Sequence, residues 1–207
     1  ANANTGATTI RAGTLQVGNG GTTGSLGTGG VTNLGRLVFN RSDTLTVGNI
    51  VSSFGELVKE GSGTTTLTGA NTYTGATTIN AGTLALGAAA ERISNVSAVT
   101  VASGATFNLN GFSETIGSLA GAGTVINNGA AAATLTTGGN NTSTAYSGSL
   151  QNGTGTLALT KAGTGMDGIV WNILGQTYVP KQVSETSMSW HATFPPGTFV
   201  PPHIHPT

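Results

Sequence analysis

The stretch from Thr5 to Leu15, TGATTIRAGTL, returns from Thr74 to Leu84 as TGATTINAGTL, with a single substitution, Arg11 against Asn80. Copies of one phrase call for copies of one environment. A stack of like coils supplies that, whereas a β-sandwich, the main rival for a chain with short strands and regular turns, gives each strand different surroundings. A second phrase, LVKEGSG at 57–63, returns as LTKAGTG at 159–165. Beneath both lies a shorter beat, a Gly with an apolar residue two positions on: Gly13 and Leu15, Gly35 and Leu37, Gly55 and Leu57, Gly82 and Leu84, Gly123 and Val125, Gly155 and Leu157. Gly104-Ala105-Thr106-Phe107 is a looser copy. The steps from Gly13 to Gly35, Gly35 to Gly55, Gly82 to Gly104 and Gly104 to Gly123 are nearly equal, and the longer gaps are expected to hold an extra half-turn or loop.

Around each glycine the pattern has period two. Residues 14–17 (TLQV), 83–86 (TLAL) and 106–109 (TFNL) alternate apolar with small or polar side chains, which places one face inward and one outward on a strand. Thr, Val and Ile suit a pleated surface, and Gly and Asn supply the turns. A strand-turn unit of this size cannot bury its inner face alone. Stacked coils can, each strand pairing with its copies about 4.8 Å above and below. The expectation is an all-β parallel β-helix over residues 1–165, with a core of Leu, Val, Ile and Phe, and eight or so coils spanning roughly 40 Å. The only helical signal is one turn within residues 88–93.

Composition excludes several functions. Seven Lys and Arg balance seven Asp and Glu, and charged residues make up 7% of the chain, so there is no basic footprint for a nucleic acid. No apolar run reaches the roughly 18 residues of a membrane-spanning helix. There is no cysteine, as suits a secreted bacterial protein that folds without disulfides. The sequence begins inside a repeat, so Ala1 is expected to be a cut or processed end.

Residues 61–87, from Gly61-Ser62-Gly63-Thr64 through Asn71-Thr72-Tyr73-Thr74-Gly75, resemble the passenger-associated transport repeat of bacterial autotransporters. Residues 99–105 and 110–124 are similar to the flanking coils of such passengers. The resemblance covers most of 1–165. It implies a right-handed, extracellular β-helix at the bacterial cell surface, exported through an outer-membrane barrel that lies outside this chain. It also implies a structural or adhesive role, with host or cell-surface ligands as partners, and no cofactor. Open coils at the two ends are expected to pair with other chains and promote self-association.

At Met166 the composition changes. All six Pro, all three His, both Trp and both Met fall after Gly165. Residues 171–175 and 188–194 read as strands, and Pro195-Pro196-Gly197 as a turn. His203 and His205, spaced i and i+2, share one face of a strand and form a candidate metal pair. Gly197 precedes them in a Gly-x5-His-x-His pattern that resembles the first half of the first cupin motif. Residues 166–207 are accordingly expected to be the start of a cupin-like jelly roll. That resemblance implies a divalent transition metal only in a completed domain, with a Glu at position 209 or 210, and the alternative of a cytoplasmic metal-binding protein. The ligand set is incomplete here, so His203 and His205 are expected to be inactive in this chain. The repeat at 159–165 should continue as it does after Gly63, and Met166 interrupts it, as in a fusion of two frames.

No His precedes residue 191, which excludes a Ser-His-Asp triad within residues 1–165. The carboxylates there are Asp43, Glu56, Glu60, Glu91 and Glu114. Glu56 and Glu60, bracketing Lys59, are expected at the solvated surface. The glycines follow the coil and include no phosphate-binding Gly-x4-Gly-Lys-Ser/Thr. Tyr73 and Tyr146 are expected to pack at coil edges. No catalytic residue is assigned.

Overall fold

The structure, a computed structural model, describes residues 2–163 and, beyond them, three backbone strands. The chain divides into two compact units, residues 1–164 and 165–207. No α-helix occurs among the described residues. Residues 88–93 form no helical turn. Ala88 (φ 74°) and Glu91 (φ 58°) both lie in the left-handed region, which a right-handed turn cannot accommodate.

The first unit begins with β1 (Thr8–Ile10), β2 (Thr14–Val17), β3 (Val31–Asn33), β4 (Arg36–Asn40) and β5 (Leu45–Val47). It continues with β6 (Val51–Ser52), β7 (Glu56–Glu60), β8 (Thr64–Leu67), β9 (Thr77–Ile79) and β10 (Thr83–Leu86). Then follow β11 (Ala98–Val101), β12 (Thr106–Asn108), β13 (Glu114–Ile116) and β14 (Ser118–Gly121). The last are β15 (Thr124–Asn127), β16 (Ala133–Thr137), β17 (Ser149–Asn152) and β18 (Leu157–Lys161). Every pairing among them is parallel, between strands one coil apart. That pattern is a β-solenoid and excludes the sandwich, whose hairpins pair strands antiparallel.

Two faces are six strands deep, in the orders β2-β4-β7-β9-β11-β14 and β5-β8-β10-β12-β15-β17. A single bridge from Gly121 to Tyr146 carries the first of these one coil further. The stack is thus slightly shorter than the eight coils expected. The third face consists of two three-stranded sheets, β1-β3-β6 and β13-β16-β18.

Register sorts the side chains into inward columns. Leu37, Leu57, Thr77 and Val99 lie in one column, and Phe39, Lys59, Ile79 and Val101 in the next. Across the core, Thr65, Leu84, Phe107 and Val125 form a third. All of these are buried. Each large aliphatic or Phe side chain so removed from water contributes roughly 1.5–3 kcal/mol.

The corners explain the glycines. A Cβ on Gly63 would meet Asp43 O at 2.1 Å, and one on Gly55 would meet Gly35 O at 2.5 Å. Neighbouring coils approach too closely at these points for any side chain. The matching phrases, however, do not occupy the same face. Residues 8–10 form β1 on the third face, whereas their copies 77–79 form β9 on the first. The wide interval from Gly55 to Gly82 is therefore a move to the next face rather than an inserted half-turn.

In the second unit β19 (Trp171–Ile173), β20 (Gln176–Ser184) and β21 (Ser187–Ala192) form an antiparallel sheet in the order β19-β20-β21. Strands expected near 171–175 and 188–194 thus occur, with β20 between them.

Candidate functional site

His203, His205 and the turn at 195–197 lie outside the described residues, as do Met166 and its junction with the repeat. The candidate chemistry of the described residues therefore belongs to the solenoid, and its polar groups gather at the interrupted face.

Between β6 and β13 the third face has no strand, and side chains add to the few main-chain bonds that remain there, such as Thr72 N to Val51 O at 2.9 Å and Thr74 N to Ser53 O at 2.8 Å. Asn71 Oδ1 accepts from Val51 N at 2.8 Å, and Asn71 Nδ2 donates to Arg92 O at 2.8 Å. One coil on, Glu114 accepts Arg92 N at 2.9 Å and Ile93 N at 2.5 Å. Asn71 and Glu114 thus occupy the places of missing ladder partners, satisfying main-chain groups that would be costly to bury unpaired. Beside them Tyr73 OH lies 2.7 Å from Thr77 Oγ1, which is 2.9 Å from Ser97 Oγ. Ser97 Oγ donates to Gly75 O at 2.7 Å. Arg92 Nε is buried in the same region with no partner among the described residues.

Burial raises the Glu114 carboxyl from 4.5 to about 7. The two main-chain donors oppose the rise, and the charge of Glu91 adds to it. Glu114 is 1% exposed, and each of its oxygens already accepts a main-chain N–H. That is the setting of a structural carboxylate, without a free oxygen facing solvent. Glu91 is exposed and accepts from Thr115 Oγ1 at 3.1 Å. Burial likewise pushes the Tyr73 phenol above its usual range, and Tyr73 is fully buried in the core rather than packed at a coil edge. Tyr146 is half-buried, pushed up to about 12 by burial, and its hydroxyl reaches Gly123 O at 2.8 Å.

A second buried charge lies on the first face. Lys59 occupies an inward position between Phe39 and Ile79 and is fully buried. Its stem fills the core column while Nζ turns to the corner, donating to Glu60 O, to Gly61 O at 2.7 Å and to Ala81 O at 3.2 Å. Burial lowers its pKa from 10.5 to about 8. The neighbouring Glu56 and Glu60 pair with Arg36 at 3.8 and 3.4 Å and lie at the partly solvated surface, as expected. Sequence reasoning missed Lys59 and Glu114 as buried groups. The available signal was their parity with Leu57 and Ile116 on their strands.

A cleft of about 360 Å³ is lined by Leu26, Gly27, Thr28, Thr46, Gly48 and Asn49. It lies beside the excursion of residues 18–30, which Arg41 and Asn49 hold in place. Arg41 donates to Gly24 O, to Thr22 O at 2.5 Å and to Asp43, and holds the Asp43 carboxyl below its usual range. Asn49 Nδ2 donates to Gly27 O and Gly29 O at 2.7 Å each. No titratable group lines the cleft, so it offers no acid or base. Among the described residues no cluster of three potential metal ligands occurs.

The passenger-associated transport repeat matches residues 1–17 and 57–86, the two segments that carry the recurring TGATTI phrase. Over 107 residues the chain is 45% identical to the adhesin BmaC autotransporter of Brucella suis biovar 1 (strain 1330). The match takes in 52% of this chain and 3% of that protein. No solved structure matches the chain. The first unit is a parallel β-helix that is similar to an autotransporter passenger.

Proposed function

We propose that this chain is a structural and adhesive segment of an autotransporter passenger, held at the bacterial cell surface. The observation that carries this reading is the stack of parallel coils with a buried inner column. A solenoid of this kind extends a surface by adding like units, each coil offering its edge to the next. The adhesive part rests on the likeness to an adhesin. Its ligands are host or cell-surface molecules, and export depends on an outer-membrane barrel elsewhere in the polypeptide. The segment acts by binding and spacing, not by catalysis.

The test is retention of beads coated with the full chain on host-cell monolayers. Retention above that of beads carrying an unrelated β-rich protein is expected. Equal retention would remove the adhesive role and leave a spacer. A mainly helical far-ultraviolet circular dichroism spectrum would remove both.

A further inference from the structure

Asparagine is followed by glycine at Asn19, Asn110, Asn128 and Asn152. In such a pair the glycine main-chain nitrogen can attack the side-chain amide carbon of the asparagine, because no Cβ on the second residue crowds the approach. Two conditions govern the reaction. The glycine N–H must be free of an acceptor, and the asparagine side chain must be free to swing toward it. The structure ranks the pairs on both.

At Asn19 the side chain is exposed, but Gly20 N donates to Asn40 O at 2.9 Å. At Asn110 both groups are held. Gly111 N donates to Asn127 Oδ1 at 2.7 Å, and Asn110 Nδ2 donates to Leu86 O at 3.0 Å. Asn152 is also held twice. Its Oδ1 accepts from Leu157 N at 2.8 Å, and Gly153 N donates to Asn127 O at 3.1 Å. Asn128 differs. Its own N donates to Asn108 Oδ1 at 3.0 Å, while its side chain is exposed. Among the described residues neither the Asn128 side-chain amide nor Gly129 N has a hydrogen-bond partner. The coil above leaves room for that amide through Gly153, where a Cβ would meet Asn128 Oδ1 at 2.3 Å.

We propose that Asn128 is a site of self-modification, with water as the only co-reactant. Gly129 N bonds to Asn128 Cγ and gives up its proton. The Cγ–Nδ2 bond breaks, ammonia leaves, and a five-membered cyclic imide remains. Water then adds to either imide carbonyl. Opening at Cγ gives an aspartate at position 128. Opening at the main-chain carbonyl gives an isoaspartyl link, in which the chain runs through the former side chain. Either product places a carboxylate in a stretch, residues 115–160, that contains no charged side chain. The isoaspartyl link also adds a methylene to the main chain where coils pack closely, since a Cβ on Gly129 would meet Asn110 C at 2.2 Å. The adjoining Asn127 stitches that corner through Gly111 N, Ala131 O and Thr156 O. Conversion therefore turns a neutral, tightly stitched corner into an anionic, looser one, and does so irreversibly. This goes beyond the adhesive reading and does not depend on it.

The test is fragment-ion mass spectrometry of the full chain, incubated at pH 8 and sampled over time. Each hydrogen bond that must open first slows the attack roughly fivefold. Asn128 is thus expected to convert about fivefold faster than Asn19, and more than about tenfold faster than Asn110 and Asn152. Isoelectric focusing should show an acidic band growing at the same rate, and Asn128→Gln should lack it. In urea, with the chain unfolded, the rates at the four positions should converge. Conversion of Asn19, Asn110 or Asn152 as fast as Asn128 in the folded chain would overturn the proposal. So would an Asn128 that stays intact when folded and converts in urea. If the same order of rates persisted in urea, it would belong to the local sequence rather than to the fold, and the proposal would fall as well.

Discussion

Replacing Glu114 by Gln should flatten the pH dependence of stability in a definite direction. In the folded protein this carboxyl titrates near 7, against 4.5 for its ordinary value. Between those limits the folded state holds the proton and the unfolded state releases it. Stability from this group is therefore greatest below pH 4.5, falls as pH rises toward 7, and is level above that. At about 1.36 kcal/mol per pKa unit, the decline totals roughly 3 kcal/mol. Gln carries no charge, so the decline should vanish. Its carbonyl can satisfy only one of Arg92 N and Ile93 N, and its amide faces the other, at a cost of about 1–3 kcal/mol. Urea unfolding of both proteins, followed by far-ultraviolet circular dichroism at pH 5, 6, 7 and 8, separates these effects. Relative to the parent, the variant should gain about 2–3 kcal/mol between pH 5 and pH 8, from less stable or equal at pH 5 to equal or more stable at pH 8. The three histidines are common to both proteins and cancel in the difference. Parallel stability curves for parent and variant would refute the assignment of a buried, proton-holding carboxyl at Glu114.

Other substitutions probe the remaining stitches. Lys59→Ala should cost about 2–4 kcal/mol, because it removes a stem packed between Phe39 and Ile79. The parent should also gain stability between about pH 8 and 10.5, where the unfolded lysine still holds its proton, and this rise should be absent from the variant. Asn71→Ala leaves Val51 N and Arg92 O without their partner and should cost roughly 2–4 kcal/mol in urea unfolding. Gly63→Ala places a Cβ 2.1 Å from Asp43 O, whereas Gly13→Ala meets nothing within 4 Å but keeps a φ of 70°. Thermal unfolding should show the first well below the second, whose loss should be about 1–2 kcal/mol. Equal losses would mean that coil spacing at the corner is not what selects glycine.

The strands at Thr14–Val17 and Thr83–Leu86 are legible in the sequence because their alternation and the glycines before them agree. Lys59 and Glu114 are not, because two cues conflict there. Parity with Leu57 puts Lys59 inward, and parity with Ile116 does the same for Glu114, but charge argues for solvent. The conflict is resolved by the corners. A long side chain that starts inward next to a bend can reach main-chain carbonyls or N–H groups that have lost their ladder partners. A pattern of apolar and polar letters does not record where those orphan groups lie, so it cannot show that a charged residue has partners inside. Tyr73 departs from its expected coil-edge position for the same reason. Its hydroxyl is satisfied by Thr77, a threonine at an inward position of a strand.

The displacement between the matching phrases carries the same lesson to the scale of the fold. One coil carries the register from Arg36 to Glu56, or from Leu57 to Thr77. The shift from Thr5 to Thr74 is then three coils and part of a fourth, enough to bring the phrase onto the next face. The phrase thus encodes a tight corner and the strand that follows it, not a whole coil. It fits more than one face because each inner wall makes the same demand, alternate aliphatic side chains meeting at a narrow axis. The Leu-x-Lys phrase obeys the same rule, forming β7 on the first face and β18 on the third. What keeps such interchangeable pieces in register is the contact with the coil beneath, through glycine corners and ladder hydrogen bonds. Where the third face loses its strand, Asn71 and Glu114 restore that contact from their side chains, and the stack continues through the gap. A fold specified in this local way needs no unique partner for each strand, because an edge bearing the right phrase accepts the next coil of its own chain.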